Sequence, residues 1–121
     1  MAEILVLDDV EDAAVLIKKI LEKKGHQVMV FTDEDLALRH VREGNHVDLA
    51  ILDLKLRKME GTEVLAELKK YLPAIRAIIM TGYPTVETAG QALNLGAAAY
   101  CVKPIDKTEL EDKVAEALAN K

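Results

Sequence analysis

The chain has 121 residues, of which 50% are hydrophobic and 3% aromatic, and its formal net charge is −5 at pH 7. This length predicts a single domain with an aliphatic core of its own. The negative charge argues against direct nucleic-acid binding, because phosphate contacts need an excess of Lys and Arg. A single cysteine, Cys101, excludes an internal disulfide and a four-cysteine zinc site. Neither a signal peptide nor a bilayer-length apolar run is present, so we expect a cytoplasmic protein without membrane contact.

Short apolar runs alternate with helical patterns along the whole chain. The runs at residues 4–7, 28–31, 47–53, 77–80 and 98–102 predict buried strands. A helical pattern follows each strand, and three of these patterns end at Gly25, Gly44 and Gly96. We expect the inward sides of the second, third and fourth helices to carry, respectively, Leu36, Ala37, His40 and Val41; Val64, Leu65 and Leu68; and Val86, Ala89, Ala92 and Leu93. Three aspartates are predicted to act as caps, namely Asp33, Asp48 and Asp106.

This alternation predicts an α/β fold. Parallel strands need helical crossovers, which are right-handed in nearly all cases. We therefore expect a doubly wound, five-stranded parallel sheet of the flavodoxin-like type, with strand order 2-1-3-4-5 and five helices on two faces. The last helical pattern runs to the end of the chain, so we expect one domain over residues 1–121 and no output domain.

Polar residues follow four of the five predicted strands, and such strand ends meet at one edge of a parallel sheet. These residues are Asp8, Asp9, Asp53, Thr81 and Lys103. Three crowded carboxylates repel one another unless a cation neutralises them, and an incomplete shell of carboxylate oxygens suits Mg²⁺. A hydroxyl and an ammonium group beside such an ion could hold phosphoryl oxygens. The residues therefore predict a site that places a phosphoryl group on Asp53 as the nucleophile.

Several short motifs stand in order along the chain, most of them at predicted strand ends. They are Leu7-Asp8-Asp9, Leu52-Asp53, Gly61, Met80-Thr81-Gly82-Tyr83, Gly96-Ala97 and Tyr100-x-x-Lys103-Pro104. Together they resemble the receiver domain of bacterial two-component response regulators, over essentially the whole chain. Residues 80–89 are also similar to the receivers of nitrogen-regulation-type transcription activators.

The resemblance implies a phosphoacceptor site and its metal. Asp53 would accept a phosphoryl group from a phosphohistidine on a sensor histidine kinase or phosphotransfer protein. Asp9 and Asp53 would bind Mg²⁺ directly, with Mn²⁺ as a substitute, and Asp8 would bind it mostly through water. The backbone carbonyl of Lys55 would complete the protein ligands.

The resemblance also implies a conformational switch. Thr81 and Lys103 would contact the attached phosphoryl group, and Tyr100 would turn inward as Thr81 moves. The surface formed by helix four, strand five and helix five would then change, and an unknown downstream protein would read that change. Lys55 and Tyr83 would flank the path of the hydrolytic water and set the lifetime of the phosphoryl group.

Two backbone features near the site also follow from the resemblance. The Lys103–Pro104 bond is expected to be cis. Arg57 stands where members of the family usually carry proline, and the loss of proline frees the backbone. We therefore expect residues 56–59 to be more mobile than usual in the family.

Other functions stay open at this point. The main hypothesis is a stand-alone phosphorylation switch rather than an enzyme, and the alternative is a receiver from a larger transcriptional regulator. A Mg²⁺-dependent phosphatase is disfavoured because Lys55 occupies the position where such enzymes carry a general acid. A flavodoxin-like cofactor binder is disfavoured because two aspartates, rather than a phosphate-binding loop, follow the first strand. No metal site is expected at His26, His40 or His46.

Overall fold

The strands and helices alternate along the chain as predicted. The computed structural model describes residues 2–119. Its strands are β1 (Glu3–Leu7), β2 (Gln27–Phe31), β3 (Leu49–Asp53), β4 (Arg76–Thr81) and β5 (Ala99–Val102). Its helices are α1 (Glu11–Glu22), α2 (Glu34–Arg42), α3 (Gly61–Tyr71), α4 (Val86–Asn94) and α5 (Lys107–Ala119). Within residues 2–119, none of the helices has the length and apolarity that a membrane-spanning segment needs.

The five strands form one parallel sheet in the order β2-β1-β3-β4-β5, which confirms the predicted topology. The pairing register between neighbouring strands aligns their carboxyl ends at one edge of the sheet. Leu7 of β1 lies beside Leu52 of β3, and Asp53 lies beside Met80 of β4. Thr81 in turn lies beside Val102 of β5. Residues that directly follow these strands therefore converge at this edge.

The strands bury side chains on both faces because helices cover both faces. Helices α1 and α5 pack on one face, and α2, α3 and α4 pack on the other. Alternate residues of a strand serve the two layers, as in β3, where Leu49 and Ile51 face the first layer and Ala50 and Leu52 the second. The predicted two-faced arrangement is thus confirmed.

Local signals at the helix ends agree with the structure in most cases. Gly25, Gly44 and Gly96 have positive φ angles of 90°, 94° and 78°, and each ends a helix as predicted. Asp33 caps α2 by accepting hydrogen bonds from the amides of Asp35 and Leu36. Asp106 accepts one from the amide of Glu109 at the start of α5.

Four side-chain predictions were wrong. Leu36, Val86 and Leu93 are 50%, 92% and 72% exposed, so they do not face the core. In α2 the buried leucine is Leu38, because it shares the inward face with Ala37 and Val41. Asp48 does not cap a helix, and instead its carboxylate accepts a hydrogen bond from the amide of Glu3 at the start of β1.

Candidate functional site

The edge formed by the carboxyl ends of the strands brings the predicted polar residues together. Asp53 is the last residue of β3, and Asp8 directly follows β1. Thr81 ends β4, and Lys103 directly follows β5. The amide of Lys103 donates a hydrogen bond of 2.8 Å to the carbonyl of Thr81, which places the two residues side by side. Residues up to 95 positions apart in the chain thus share one site.

Three carboxylates form a compact group at this edge. One oxygen from each of Asp8, Asp9 and Asp53 lies within 4.8 Å of the other two. Asp8 is fully buried and Asp53 is 5% exposed, whereas Asp9 is half-buried and open to solvent. Two buried carboxylates and one accessible carboxylate make a cup of hard oxygen donors, which is the ligand chemistry that Mg²⁺ prefers.

Lys103 lies against the two buried carboxylates. Its Nζ is 2.9 Å from Asp8 Oδ2 and 3.3 Å from Asp53 Oδ2. Burial lowers the pKa of Lys103, but its hydrogen bond to Asp8 and the nearby charge of Asp53 outweigh that effect and raise the pKa. One ammonium against three carboxylates leaves two negative charges uncompensated. The residues present therefore fit a divalent cation.

Ionisation of Asp53 is electrostatically unfavourable in this cluster. Burial and the charge of Asp8 raise the pKa of Asp53 to about 6, although Lys103 and the amide of Lys55 act in the opposite direction. A cation at the carboxylate group would favour the ionised form, which is the nucleophilic form of a carboxyl group. Perturbed carboxylates of this kind are typical of functional sites.

Thr81 is fully buried, and its hydroxyl oxygen accepts a hydrogen bond of 3.0 Å from the amide of Tyr83. The hydroxyl therefore shapes the turn between β4 and α4 in this conformation. The side chain of Tyr83 itself is 77% exposed. Moving the Thr81 hydroxyl would break the hydrogen bond to Tyr83 and so change the path of this turn.

Tyr100 is half-buried in β5 and contacts the start of α4 through its hydroxyl. Its oxygen lies 2.6 Å from Thr88 Oγ1, and Thr88 forms a reciprocal capping box with Thr85. Sequence reasoning missed Thr88. The spacing of two threonines three residues apart at a helix start is the signal that could have identified it.

The loop after Asp53 is closed tightly at its base. The amide of Gly61 donates a hydrogen bond of 2.9 Å to the carbonyl of Leu54, and Lys55 pairs with Glu60 in an isolated antiparallel bridge. A Cβ atom on Gly61 would lie 2.5 Å from the carbonyl oxygen of Asp53, so this position requires glycine. The amide of Lys55 lies 3.4 Å from Asp53 Oδ1. The role of the Lys55 carbonyl as a metal ligand stays a prediction.

The peptide bond between Lys103 and Pro104 is cis, as predicted.

Sequence reasoning missed Glu34, whose buried carboxylate contacts the loop that follows Asp53. Its position in the first turn of α2 is typical of an exposed acid, so the sequence carries no signal for this contact.

A second group of potential metal ligands lies at the opposite edge of the sheet. Single ligand atoms of Glu3, His46 and Asp48 lie within 4.8 Å of one another. His46 Nε2 is already 2.7 Å from Asp48 Oδ1, and this hydrogen bond raises the pKa of His46. Glu3 and His46 are exposed. The contacts at this edge are those of a surface ion pair.

Comparison with known proteins places these observations in a family. The response regulator receiver domain family matches residues 4–115. The chain is 37% identical over 118 residues to the transcriptional regulatory protein ZraR of Klebsiella oxytoca, covering 98% of this chain but 26% of that protein. It is 33% identical over 112 residues to sporulation initiation phosphotransferase F of Bacillus subtilis (strain 168), covering 93% of this chain and 90% of that protein.

A solved structure agrees with these sequence relatives. The CheY-like response regulator receiver domain protein from Methanospirillum hungatei JF-1 superimposes with a TM-score of 0.91 at 36% identity. The match covers 98% of this chain and 94% of that one. The strand-end carboxylates, the shared topology and the family match over nearly the whole chain lead to one conclusion, that this chain belongs to the response regulator receiver domain family.

Proposed function

We propose that Asp53 accepts a phosphoryl group in a Mg²⁺-dependent reaction, with a sensor histidine kinase or a phosphotransfer protein as the donor. The observation that carries this proposal is the group of three carboxylates within 4.8 Å, with the Lys103 ammonium 3.3 Å from Asp53. In the transfer, an Asp53 carboxylate oxygen bonds to phosphorus while the bond from phosphorus to the donor histidine nitrogen breaks. Asp53 therefore ends as an acyl phosphate and the donor as free histidine.

The residues around Asp53 would have separate roles in the transfer. Lys103 already contacts Asp53 Oδ2 and would stabilise the negative charge of the transferring group. Thr81 directly follows Met80, the residue of β4 that pairs with Asp53. The Thr81 hydroxyl would donate a hydrogen bond to a phosphoryl oxygen. Asp8 and Asp9, with the Lys55 carbonyl, would hold the cation beside Asp53. Mg²⁺, or Mn²⁺ in its place, supplies charge neutralisation between carboxylates and phosphoryl oxygens.

The phosphoryl group would then act as a switch. It adds roughly two negative charges at neutral pH, and drawing the Thr81 hydroxyl toward them gives up the hydrogen bond to Tyr83. Tyr100 would leave its contact with Thr88 and turn inward, which loosens the start of α4. The exposed apolar side chains on α4 and β5, namely Val86, Leu93 and Val102, would form part of the surface that a downstream protein reads.

The chemistry of the loops favours a switch over a turnover enzyme. Lys55 cannot act as a general acid in the way a carboxylic acid does, and its ammonium lies 3.9 Å from Glu60. Tyr83 is exposed and lies two residues after Thr81, so Lys55 and Tyr83 would control access of the hydrolytic water to the acyl phosphate. We place this signalling step in the cytoplasm, where a kinase could reach the site.

The experiment that tests this proposal is intact-protein mass spectrometry after incubation with acetyl phosphate and Mg²⁺. We expect a gain of one phosphoryl group in the wild type, and no gain in Asp53→Asn or after metal removal with EDTA. Asp48→Asn is the matched control, because Asp48 is an aspartate at the opposite edge of the sheet. Labelling that persists in Asp53→Asn would refute Asp53 as the acceptor.

A second reading is that this receiver regulates a longer protein. The chain spans about a quarter of the length of the ZraR proteins it matches, which are transcriptional regulatory proteins by name. In that case the surface of α4 and β5 would contact a further domain of the same polypeptide. Sequencing the gene tests this reading, because a reading frame that continues into a further domain would support it.

A further inference from the structure

The loop between β3 and α3 is held at its tip by a buried acid of α2. Glu34 Oε2 accepts hydrogen bonds from two successive loop amides, those of Lys58 at 2.5 Å and Met59 at 3.0 Å. One carboxylate oxygen therefore joins α2 to residues 24 and 25 positions further along the chain. These amides belong to residues 56–59, which contain no proline ring to restrict the backbone.

The burial of Glu34 distinguishes it from its neighbours. Glu34 is 1% exposed, whereas the next acid, Asp35, has a side chain that is 67% exposed. A buried carboxylate is costly unless charge-assisted hydrogen bonds compensate it. The two loop amides and the first turn of α2, where the helix dipole favours negative charge, provide that compensation. Leaving the two amides without an acceptor would cost more than losing a surface ion pair.

Charge reinforces the same connection from outside. Lys58 Nζ lies 2.6 Å from Asp35 Oδ2 and 3.8 Å from Asp33 Oδ2. The hydrogen bond to Asp35, with the charges of Asp33, Asp35 and Glu34, raises the pKa of Lys58. These contacts are solvent-exposed, so each contributes little. The buried Glu34 hydrogen bonds are the stronger part of the anchor.

We infer that Glu34 is a positioning residue for the phosphoacceptor site. It fixes the tip of the loop whose base is closed by Leu54 and Gly61 and whose second residue, Lys55, contacts Asp53. Because the base and the tip of this short loop are both fixed, the Lys55 backbone is ordered before any cation binds. Binding then avoids the entropy cost of ordering the loop. This inference rests on the proposed function of Asp53.

The first test measures the anchor without the metal. We expect Glu34→Ala to increase amide hydrogen exchange of residues 56–60 by at least about tenfold in EDTA, because two amides lose their acceptor. Asp35→Ala is the matched control, since it removes the exposed ion pair with Lys58 and leaves both backbone hydrogen bonds. Equal exchange in wild type and Glu34→Ala, or equal acceleration in both variants, would overturn the inference.

The second test separates positioning from general stability. In Glu34→Ala the Mg²⁺ concentration that gives half the maximal labelling rate should rise about tenfold. A tenfold change in affinity matches the entropy cost of ordering roughly one backbone residue. The labelling rate at saturating Mg²⁺ should change by less than about twofold, because bound metal orders the loop in either protein. Calorimetric titration with MgCl₂ should give the same shift in affinity. An unchanged half-saturation would overturn the inference.

Two further outcomes are covered by this design. If Glu34→Ala does not fold, Glu34→Asp decides, because its shorter side chain keeps the charge but withdraws the oxygen from the two loop amides. A half-saturation raised several-fold above that of the wild type supports the hydrogen-bonded anchor, and wild-type half-saturation overturns it. If the wild type binds Mg²⁺ but is never labelled, the proposed function fails, while the exchange and calorimetric results still decide the role of Glu34.

Discussion

Helices α3 and α4 occupy equivalent places in the fold but pack very differently. Each follows a strand that ends in a site residue, Asp53 for α3 and Thr81 for α4. Helix α3 buries Val64, Leu65 and Leu68 completely. Among the residues of α4, all of which the structure describes, Ala92 is the only buried one.

This difference separates a rigid part of the site from a loosely held part. The β3–α3 loop is closed at its base by Gly61 and held at its tip by Glu34. The turn before α4 depends on the Thr81 hydroxyl, and the start of the helix depends on the contact between Thr88 and Tyr100. Segments with few buried apolar contacts open at the lowest free energy. The structure therefore holds the Asp53 side of the site firmly and the α4 side loosely.

The largest expected effect contrasts two leucines. Leu68→Ala in α3 should lower the free energy of unfolding by about 2–5 kcal/mol, because it leaves a cavity in the core. Leu93→Ala in α4 should change it by less than about 0.5 kcal/mol, because Leu93 is 72% exposed. Urea unfolding followed by circular dichroism measures both values. Similar losses in the two variants would remove the contrast between the helices.

Two glycines, one at the start of α3 and one inside α4, allow the packing of the two helices to be compared at the backbone. Gly61→Ala should cost about 1–3 kcal/mol, since the new Cβ would meet the Asp53 carbonyl oxygen at 2.5 Å. Gly90→Ala should stabilise the protein by about 0.5–1 kcal/mol, because nothing lies within 4 Å and alanine favours the helix. Thermal unfolding should show shifts of opposite sign. A destabilised Gly90→Ala would mean that α4 is packed more tightly than its exposure indicates.

The last prediction is a pH dependence that comes from Asp53 at the end of β3. The pKa of Asp53 is raised to about 6 from an ordinary value of 3.8, so the native state binds more protons than the unfolded state between these values. In EDTA the free energy of unfolding should therefore fall as the pH rises from about 4 to 6. Asp53→Asn should reduce this fall, whereas Thr81→Val should leave it unchanged. Identical pH profiles in wild type and Asp53→Asn would contradict the prediction.

Much of the fold could be predicted because its signals are local. The apolar runs, the helix-ending glycines and the Asp33 cap each depend on a few neighbouring residues, and the parallel topology follows from their alternation. The side chains that the prediction placed wrongly, such as Val86 and Leu93, lie where periodicity alone cannot say how much of a helix the sheet covers. The role of Asp48 was missed because its partner, the amide of Glu3, lies 45 residues away.

The convergence of the strand-end carboxylates, the lysine and the threonine follows from the sequence, because any parallel sheet built from these runs must bring its strand ends to one edge. Which neighbours restrain these residues depends on the folded chain. The contacts of Glu34 with the loop and of Tyr100 with Thr88 join residues whose local patterns predict only a helix cap and a strand. A hydrogen bond between distant segments depends on how helices sit against the sheet, and packing sets that position only when the whole chain is folded.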